Sequence, residues 1–255
     1  MVTTNKRIFV HKKEVAKAYL AGLIDGDGSI FICQSNREKY AKQFILRAKV
    51  VTIDYDSVRF IQERFGGNVS KDKTLYCIFW HCNNAKVLIS KIEKYLILKK
   101  EQAKLALRIK ETSSSSNENL FQEMRKLNLD KSRFLANPPM QQRLFWAYLA
   151  GLIDSDGCIS IKHYQSENKF LHLKVTQKNR YLLDVIKAKI GYGKIYQTRD
   201  WFNLEWTNVN ANRILRKIEK WLINKQEKSR IALKFFKNKN LAVQETNRRK
   251  SHNLR

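Results

Sequence analysis

Leu46, Ala48 and Val50 alternate with Arg47 and Lys49. That period of two predicts a strand with an apolar face for the core and a cationic face away from it. Leu171, Leu173 and Val175 alternate with His172 and Lys174 in the same way. Elsewhere the period lengthens. Val58, Ile61 and Phe65 recur at three- and four-residue spacing, which predicts a helix with its buried stripe on one side. Along the chain the pattern gives an opening helix, strands at 28–35 and 43–52, a helix at 54–65, strands at 68–72 and 75–81, and helices at 84–97 and 100–110. It then begins again. A second helix precedes strands at 157–164 and 169–177, a helix at 178–190, strands at 193–198 and 202–207, and helices at 210–222 and 226–237.

The recurrence is also literal. AYLAGLID occurs at 18–25 and at 147–154, and IEKYLILKKEQAK at 92–104 returns as IEKWLINKQEKSR at 218–230. FGG at 65–67 corresponds to IGYG at 190–193. Internal repetition of this kind fixes architecture before any single element does. The chain therefore reads as an α+β fold made twice, with halves at 1–110 and 140–238. Residues 111–139 join them and hold a serine run and Pro138 and Pro139, the only prolines of the chain, which marks a linker. Leu120–Leu129 within it predicts a short helix, and the polar, basic tail at 239–255 is expected to fray.

Charge narrows the partner. Lys and Arg number 50 against 23 Asp and Glu, a formal net charge of +27 over 255 residues. An excess that large points to a polyanion, nucleic acid before membrane. No apolar run reaches the length of a membrane span, so no membrane partner is expected. Cys33, Cys77, Cys82 and Cys158 form no CxxC pair, which argues against a zinc ribbon or a redox motif. The histidines show no ligand spacing.

Against that cationic background, LAGLIDGDG at 20–28 and LAGLIDSDG at 149–157 each place two acids at the end of an apolar helix. One copy alone reads as an ordinary helix end with glycine just past it. Two copies need more. Gly22 and Gly151 are poor mid-helix residues, but they allow two backbones to approach closely. If the two helices pack on each other about a pseudo-two-fold axis, Asp25, Asp27, Asp154 and Asp156 converge. Carboxylates at helix C-termini oppose the macrodipole and repel one another. A hard divalent cation offsets both effects.

These motifs resemble those of the LAGLIDADG homing endonucleases, in the single-chain form that carries two copies. The resemblance covers nearly the whole chain. It implies two pseudo-symmetric αββαββα halves whose antiparallel sheets form a DNA-binding saddle, with the motif helices at their interface. It implies metal-dependent hydrolysis of double-stranded DNA, leaving short 3′ overhangs at a long, partly palindromic target. The second acid of each motif, Asp27 and Asp156, would be catalytic and bind metal, with the carbonyls of Gly26 and Ser155. Asp25 and Asp154 would cap and orient the motif helices. Aligning the halves puts Gln177 opposite Thr52, so the two sites are unequal. Lys99 and Lys225 would lie near the scissile phosphate. Mg²⁺ is the implied cofactor, with Ca²⁺ supporting binding without cleavage.

Alternation selects the DNA-facing side chains. In the first half they are Phe31, Cys33, Ser35, Arg47 and Lys49, with Ser70, Tyr76 and Ile78 added from the later strands. In the second half they are Ser160, Lys162, Tyr164, His172 and Lys174, with Tyr196 and Thr198. A two-stranded ribbon of this kind fits the major groove, where each base pair is distinguishable. The chain is expected to act as a monomer, because its second half supplies the symmetric partner. The family suggests an organellar gene, in chloroplast or mitochondrion, inside a group I intron. Two other readings share the fold. One is a maturase binding intron RNA. The other is a non-catalytic DNA-binding regulator. Intact Asp27 and Asp156 favour cleavage over both.

Overall fold

The computed structural model describes residues 13–35, 43–110, 114–130, 140–163 and 169–252, with the side chains of 35, 114–116 and 240–252 excepted. Helix α1 (Lys13–Asp27) leads into β1 (Gly28–Ser35) and β2 (Gln43–Thr52). Then come α2 (Tyr55–Phe65), β3 (Asn68–Asp72), β4 (Leu75–His81), α3 (Cys82–Ile92) and α4 (Lys100–Leu107). After α5 (Ser114–Leu129) the order repeats: α6 (Gln142–Asp156), β5 (Gly157–His163), β6 (Lys169–Gln177), α7 (Arg180–Ile190), β7 (Lys194–Thr198), β8 (Trp201–Thr207), α8 (Asn208–Ile218) and α9 (Gln226–His252). Each half is one antiparallel four-stranded sheet, ordered β1-β2-β4-β3 and β5-β6-β8-β7.

Local chemistry sets the boundaries. Asp54 caps α2 by accepting from the Ser57 amide at 2.8 Å, and Asn179 caps α7 by accepting from the Leu182 amide at 3.1 Å. Both helices end at a glycine of positive φ, Gly66 at 67° and Gly191 at 88°. The next glycines, Gly67 and Gly193, let the chain pass against the indoles of Trp80 and Trp206, where a Cβ would meet ring atoms at 2.8 and 2.6 Å.

Three expectations change. The helix expected over 84–97 ends at Ile92, passes through a 3₁₀ turn at Glu93–Tyr95, and turns extended at Leu96. The second half breaks identically at Glu219–Trp221 and Leu222. The break frees backbone amides that a continuous helix would have used internally. The linker is more structured than its composition suggests. Asn117 clasps both the amide and the carbonyl of Lys110 at 3.2 and 2.7 Å, and Leu120 and Met124 are buried. The tail does not fray at 239, because α9 continues to His252 with no glycine or proline after Gln226.

The core is one cluster that spans both halves, and α1 and α6 cross at its centre. A Cβ built on Gly22 would lie 1.9 Å from the carbonyl oxygen of Tyr148, and one on Gly151 would lie 2.0 Å from that of Tyr19. Only glycine permits that approach, and backbone cannot yield as a flexible side chain does. Gly151→Ala should therefore cost at least about 3 kcal/mol by overpacking. Gly191→Ala meets no atom within 4 Å and should cost only about 1–2 kcal/mol, for its positive φ. Denaturant titration of the two variants checks that order.

Candidate active site

The α1–α6 seam delivers four carboxylates to one end of the helix pair, but in two different settings. Asp25 and Asp154 are buried. Asp25 accepts from the amides of Ile97, Leu98 and Lys99 at 2.7, 3.0 and 2.9 Å. Asp154 accepts from the amides of Ile223 and Lys225 at 2.7 and 2.8 Å. These are the amides that the breaks after α3 and α8 release. The first acids therefore anchor the starts of α4 and α9, rather than capping their own helices. Each also accepts across the seam: Tyr148 donates to Asp25 and Tyr19 to Asp154, both at 2.7 Å. Burial still raises the Asp154 carboxyl, while the bonds from Ile223, Lys225 and Tyr19 pull it back down.

Asp25 and Asp154 also place the two lysines. The Lys99 ammonium donates to the carbonyl of Asp25 at 2.6 Å. The Lys225 ammonium donates to the carbonyls of Ile153, Asp154 and Ser155 at 2.7, 2.7 and 3.0 Å. A cation there satisfies last-turn carbonyls and complements the negative end of the helix dipole. Burial lowers the Lys225 ammonium, with Asp154, Asp27 and Asp156 opposing that shift. The Ser155 carbonyl faces this lysine.

Asp27 and Asp156 follow directly after Gly26 and Ser155; Asp27 is exposed and Asp156 lines the groove. Partial desolvation lifts Asp27, and Lys225 opposes this more than Lys99 does. Asp156 is raised to about 6, first by burial and then by the charge of Asp27, with Lys99 the stronger opposing cation. Both lysines thus favour the charged form of both acids. A Cβ on Gly26 would fall 2.8 Å from Asp156 Oδ2 and 1.9 Å from Ser155 Oγ, which shows how closely the two turns meet.

The sites are unequal, as the alignment implied. Gln177 donates a short hydrogen bond to Asp156. Thr52, in the equivalent position, accepts from the Asp54 amide at 3.1 Å and so belongs to the start of α2. The donors that could hold a cation are carboxylate and carbonyl oxygens beside an open groove. That set fits a hard ion such as Mg²⁺ or Ca²⁺ that keeps several waters. Among the described residues no group of three or more His, Cys, Asp or Glu side chains forms a metal-binding cluster.

Strand register decides which side chains face outward from the core. Phe31 lies opposite Arg47, and Lys49 lies between Ser29 and Phe79, all on the outer face. Ser70 shares that face with Cys77. Cys33 shares it as well, opposite Ile45. In the second half Ser160, Lys162, Lys174, Tyr196 and Thr198 lie on it, as expected. Three assignments are corrected. Ile78 is fully buried between Val50 and Val69, and Tyr76 packs from the same face against the core and the Tyr55 ring. His172 is on the outer face but has no exposed surface, being covered by Ser160, Lys162 and Glu205 at 3.3, 3.2 and 2.5 Å. Ser35 pairs with Gln43 at the end of β1, and Tyr164 lies outside the described residues. Phe79, His81, Asn203, Glu205 and Trp201 share the outer face and were missed. Register supplies the signal for them, because the apolar run LYCIFWH does not reveal which parity is buried.

The sequence matches the family described as LAGLIDADG endonuclease over residues 20–111 and 149–244. The chain belongs to the LAGLIDADG endonuclease family. A probable intron-encoded endonuclease, aI2, of Debaryomyces hansenii is 28% identical over 196 residues, covering 70% of this chain and 26% of that protein. This chain thus spans about a quarter of that relative's length. In fold it is similar to the LAGLIDADG meganuclease I-AabMI bound to uncleaved DNA, with a TM-score of 0.70, 17% identity and coverage of 88% and 92% of the two chains. It is also similar to the homing endonuclease I-GzeII in complex with its DNA target, with a TM-score of 0.66, 15% identity and 92% coverage of each. In this family member, as expected, two pseudo-symmetric α+β halves carry the motif helices at their interface. No described helix is long and apolar enough to cross a membrane.

One consequence is measurable without substrate. Because its folded-state carboxyl lies above the ordinary range, Asp156 costs stability in full above about pH 6, and the cost fades as pH falls from there to the ordinary carboxyl value of about 4. Asp156→Asn should therefore stabilise the protein at pH 7.5 by about 1–3 kcal/mol, or about 2–6 °C in Tm. The gain should shrink at pH 5. Calorimetry in the presence of chelator reads both.

Proposed function

We propose that the chain is a site-specific, divalent-metal-dependent DNA homing endonuclease. The observation that carries the reading is the convergence of Asp27 and Asp156 at the end of the α1–α6 pair, between two outward sheet faces in a chain of net charge +27. A carboxylate pair is a poor DNA contact by itself and a good cation site. On the cationic faces, Arg47, Lys49, Lys162 and Lys174 would meet phosphates and base edges.

In this mechanism Asp27 and Asp156, with the Gly26 carbonyl, would hold the cations. Bound Mg²⁺ supplies charge neutralisation at the phosphoryl group and acidifies water. Gln177 fixes one carboxylate oxygen of Asp156 and leaves the other for the ion. Lys99 and Lys225 hold positive charge near the two acids, where negative charge grows during cleavage. The two sites would cut one strand each, giving short 3′ overhangs. The intron-encoded relative supports an intron-borne gene of the group I type in an organelle, and the two-motif chain supports a working monomer. A maturase bound to intron RNA remains the alternative that the test must separate.

Incubation with organellar DNA from an intronless relative, followed by sequencing of all new ends, tests the reading. One dominant double-strand break in Mg²⁺ is expected, with binding but no cutting in Ca²⁺, and no break by Asp27→Asn/Asp156→Asn. Specific, tight binding to intron RNA with no cut in any DNA would overturn it.

Gln177→Thr should slow one strand by about 10- to 100-fold, as expected for losing a hydrogen bond to a charged group, and leave the other strand nearly unchanged. End-labelled duplexes read the two strands separately. A proton on Asp156 competes with the cation. Cutting should therefore fall below about pH 6, by about tenfold per unit.

A further inference from the structure

The saddle is cationic, yet its central end carries exposed apolar groups. Trp201 opens β8 and Leu75 opens β4, at pseudo-equivalent positions, and they are 44% and 45% exposed. Both lie at the end of the sheet nearest the paired acids. β1 and β5 start directly after Asp27 and Asp156, and Thr52 and Gln177 pair with Tyr76 and Phe202, each one residue beyond Leu75 or Trp201. Ile53, next to Thr52, is 69% exposed. Trp201 is steadied on one side by the Lys178 ammonium, 4.8 Å from its ring centre. It lines a groove of about 560 Å³ together with Asp156 and Gln177. Among the exposed apolar side chains, this pair stands out by its matching places at the sheet ends nearest the acids.

We propose that Leu75 and Trp201 are paired wedges that enter the duplex at the centre of the target, unstacking the bases between the two scissile phosphates. The inference rests on the DNA endonuclease reading. The occupant is double-stranded DNA because the surrounding face is cationic and continuous with the acids. A duplex draped over two sheets must kink to bring both strands to Asp27 and Asp156. Apolar side chains inserted between base steps are a known physical means of kinking DNA. The Lys178 charge against the indole suits a wedge that sits between phosphates.

The test uses the full chain and its mapped target, with 2-aminopurine placed in turn at each central position and Ca²⁺ as the only divalent ion. Emission should rise about threefold or more on binding, as a base leaves the stack. Leu75→Ala/Trp201→Ala should return it to the free-duplex level. In Mg²⁺ that variant should cut about 10- to 100-fold more slowly, the equivalent of losing assistance at one or two base steps. A flexible TA step at the target centre should recover about tenfold, which a merely structural defect would not allow. A bound duplex whose central bases stay stacked, or a variant that cuts at the normal rate, overturns the wedges alone. Failure of the chain to bind any duplex overturns both readings. If the variant instead converts a dimer to a monomer in sedimentation while leaving emission unchanged, the face mates with a second copy and the proposal falls.

Discussion

The structure depends on one close contact. Gly22 lies against the Tyr148 carbonyl, and Gly151 against that of Tyr19, so two helices share a seam that no side chain separates. That distance fuses two sheets into one body with a single core. It also sets how far apart Asp27 and Asp156 can be. The contact is reinforced by a reciprocal pair of hydrogen bonds, Tyr19 to Asp154 and Tyr148 to Asp25. Each half therefore completes the buried acid of the other. A half taken alone would leave a buried carboxylate short of one donor, which is costly in a dry interior.

The same seam gathers negative charge where helix dipoles already point their negative ends. The fold offsets this with the Lys99 and Lys225 ammonium groups, held against last-turn carbonyls. Those lysines reach their places because the helices before α4 and α9 break, and Asp25 and Asp154 grip the released amides. Anchoring and chemistry are thus divided between adjacent acids. The first of each motif is buried and spent on backbone. The second remains at the groove and remains uncomfortable, most of all Asp156. A site that is unfavourable when empty of cations is poised to bind them. Gln177 tightens one side of this arrangement and Thr52 does not tighten the other, so pseudo-symmetry of backbone coexists with asymmetry of function.

The outer faces show a second division. Arg47, Lys49, Lys162 and Lys174 are spread along them, while the ends nearest the acids also carry the apolar Leu75 and Trp201. Glu205 is an acid on this otherwise basic face of the second sheet, and it is in hydrogen-bond contact with Tyr196 and with His172, whose charged form burial disfavours. The local field is therefore not uniformly positive, and contacts along the groove must differ from place to place.

Much of this was legible in the residues. The period of two in β2 and β6 gave both strands and their faces, because apolar and charged residues alternate cleanly there. The repeat gave the architecture, and the doubled motif gave the acids and the seam glycines. What failed was physical rather than accidental. β4 is apolar on both faces, so periodicity could not tell Ile78 and Tyr76 from Cys77 and Phe79, and only pairing with β2 settles it. His172 sits at an outward parity, yet neighbouring side chains fold over it, and that is a matter of three-dimensional reach. The breaks at Leu96 and Leu222 look helical in sequence, since the carboxylates that reward them lie more than seventy residues away or nearly so. Sequence by itself determined the elements, their duplication and the acids, because these are set by local periodicity and by identity. Tertiary structure alone decided what the first acids hold, distant backbone amides and a tyrosine of the other half, because the fold alone brings those groups together.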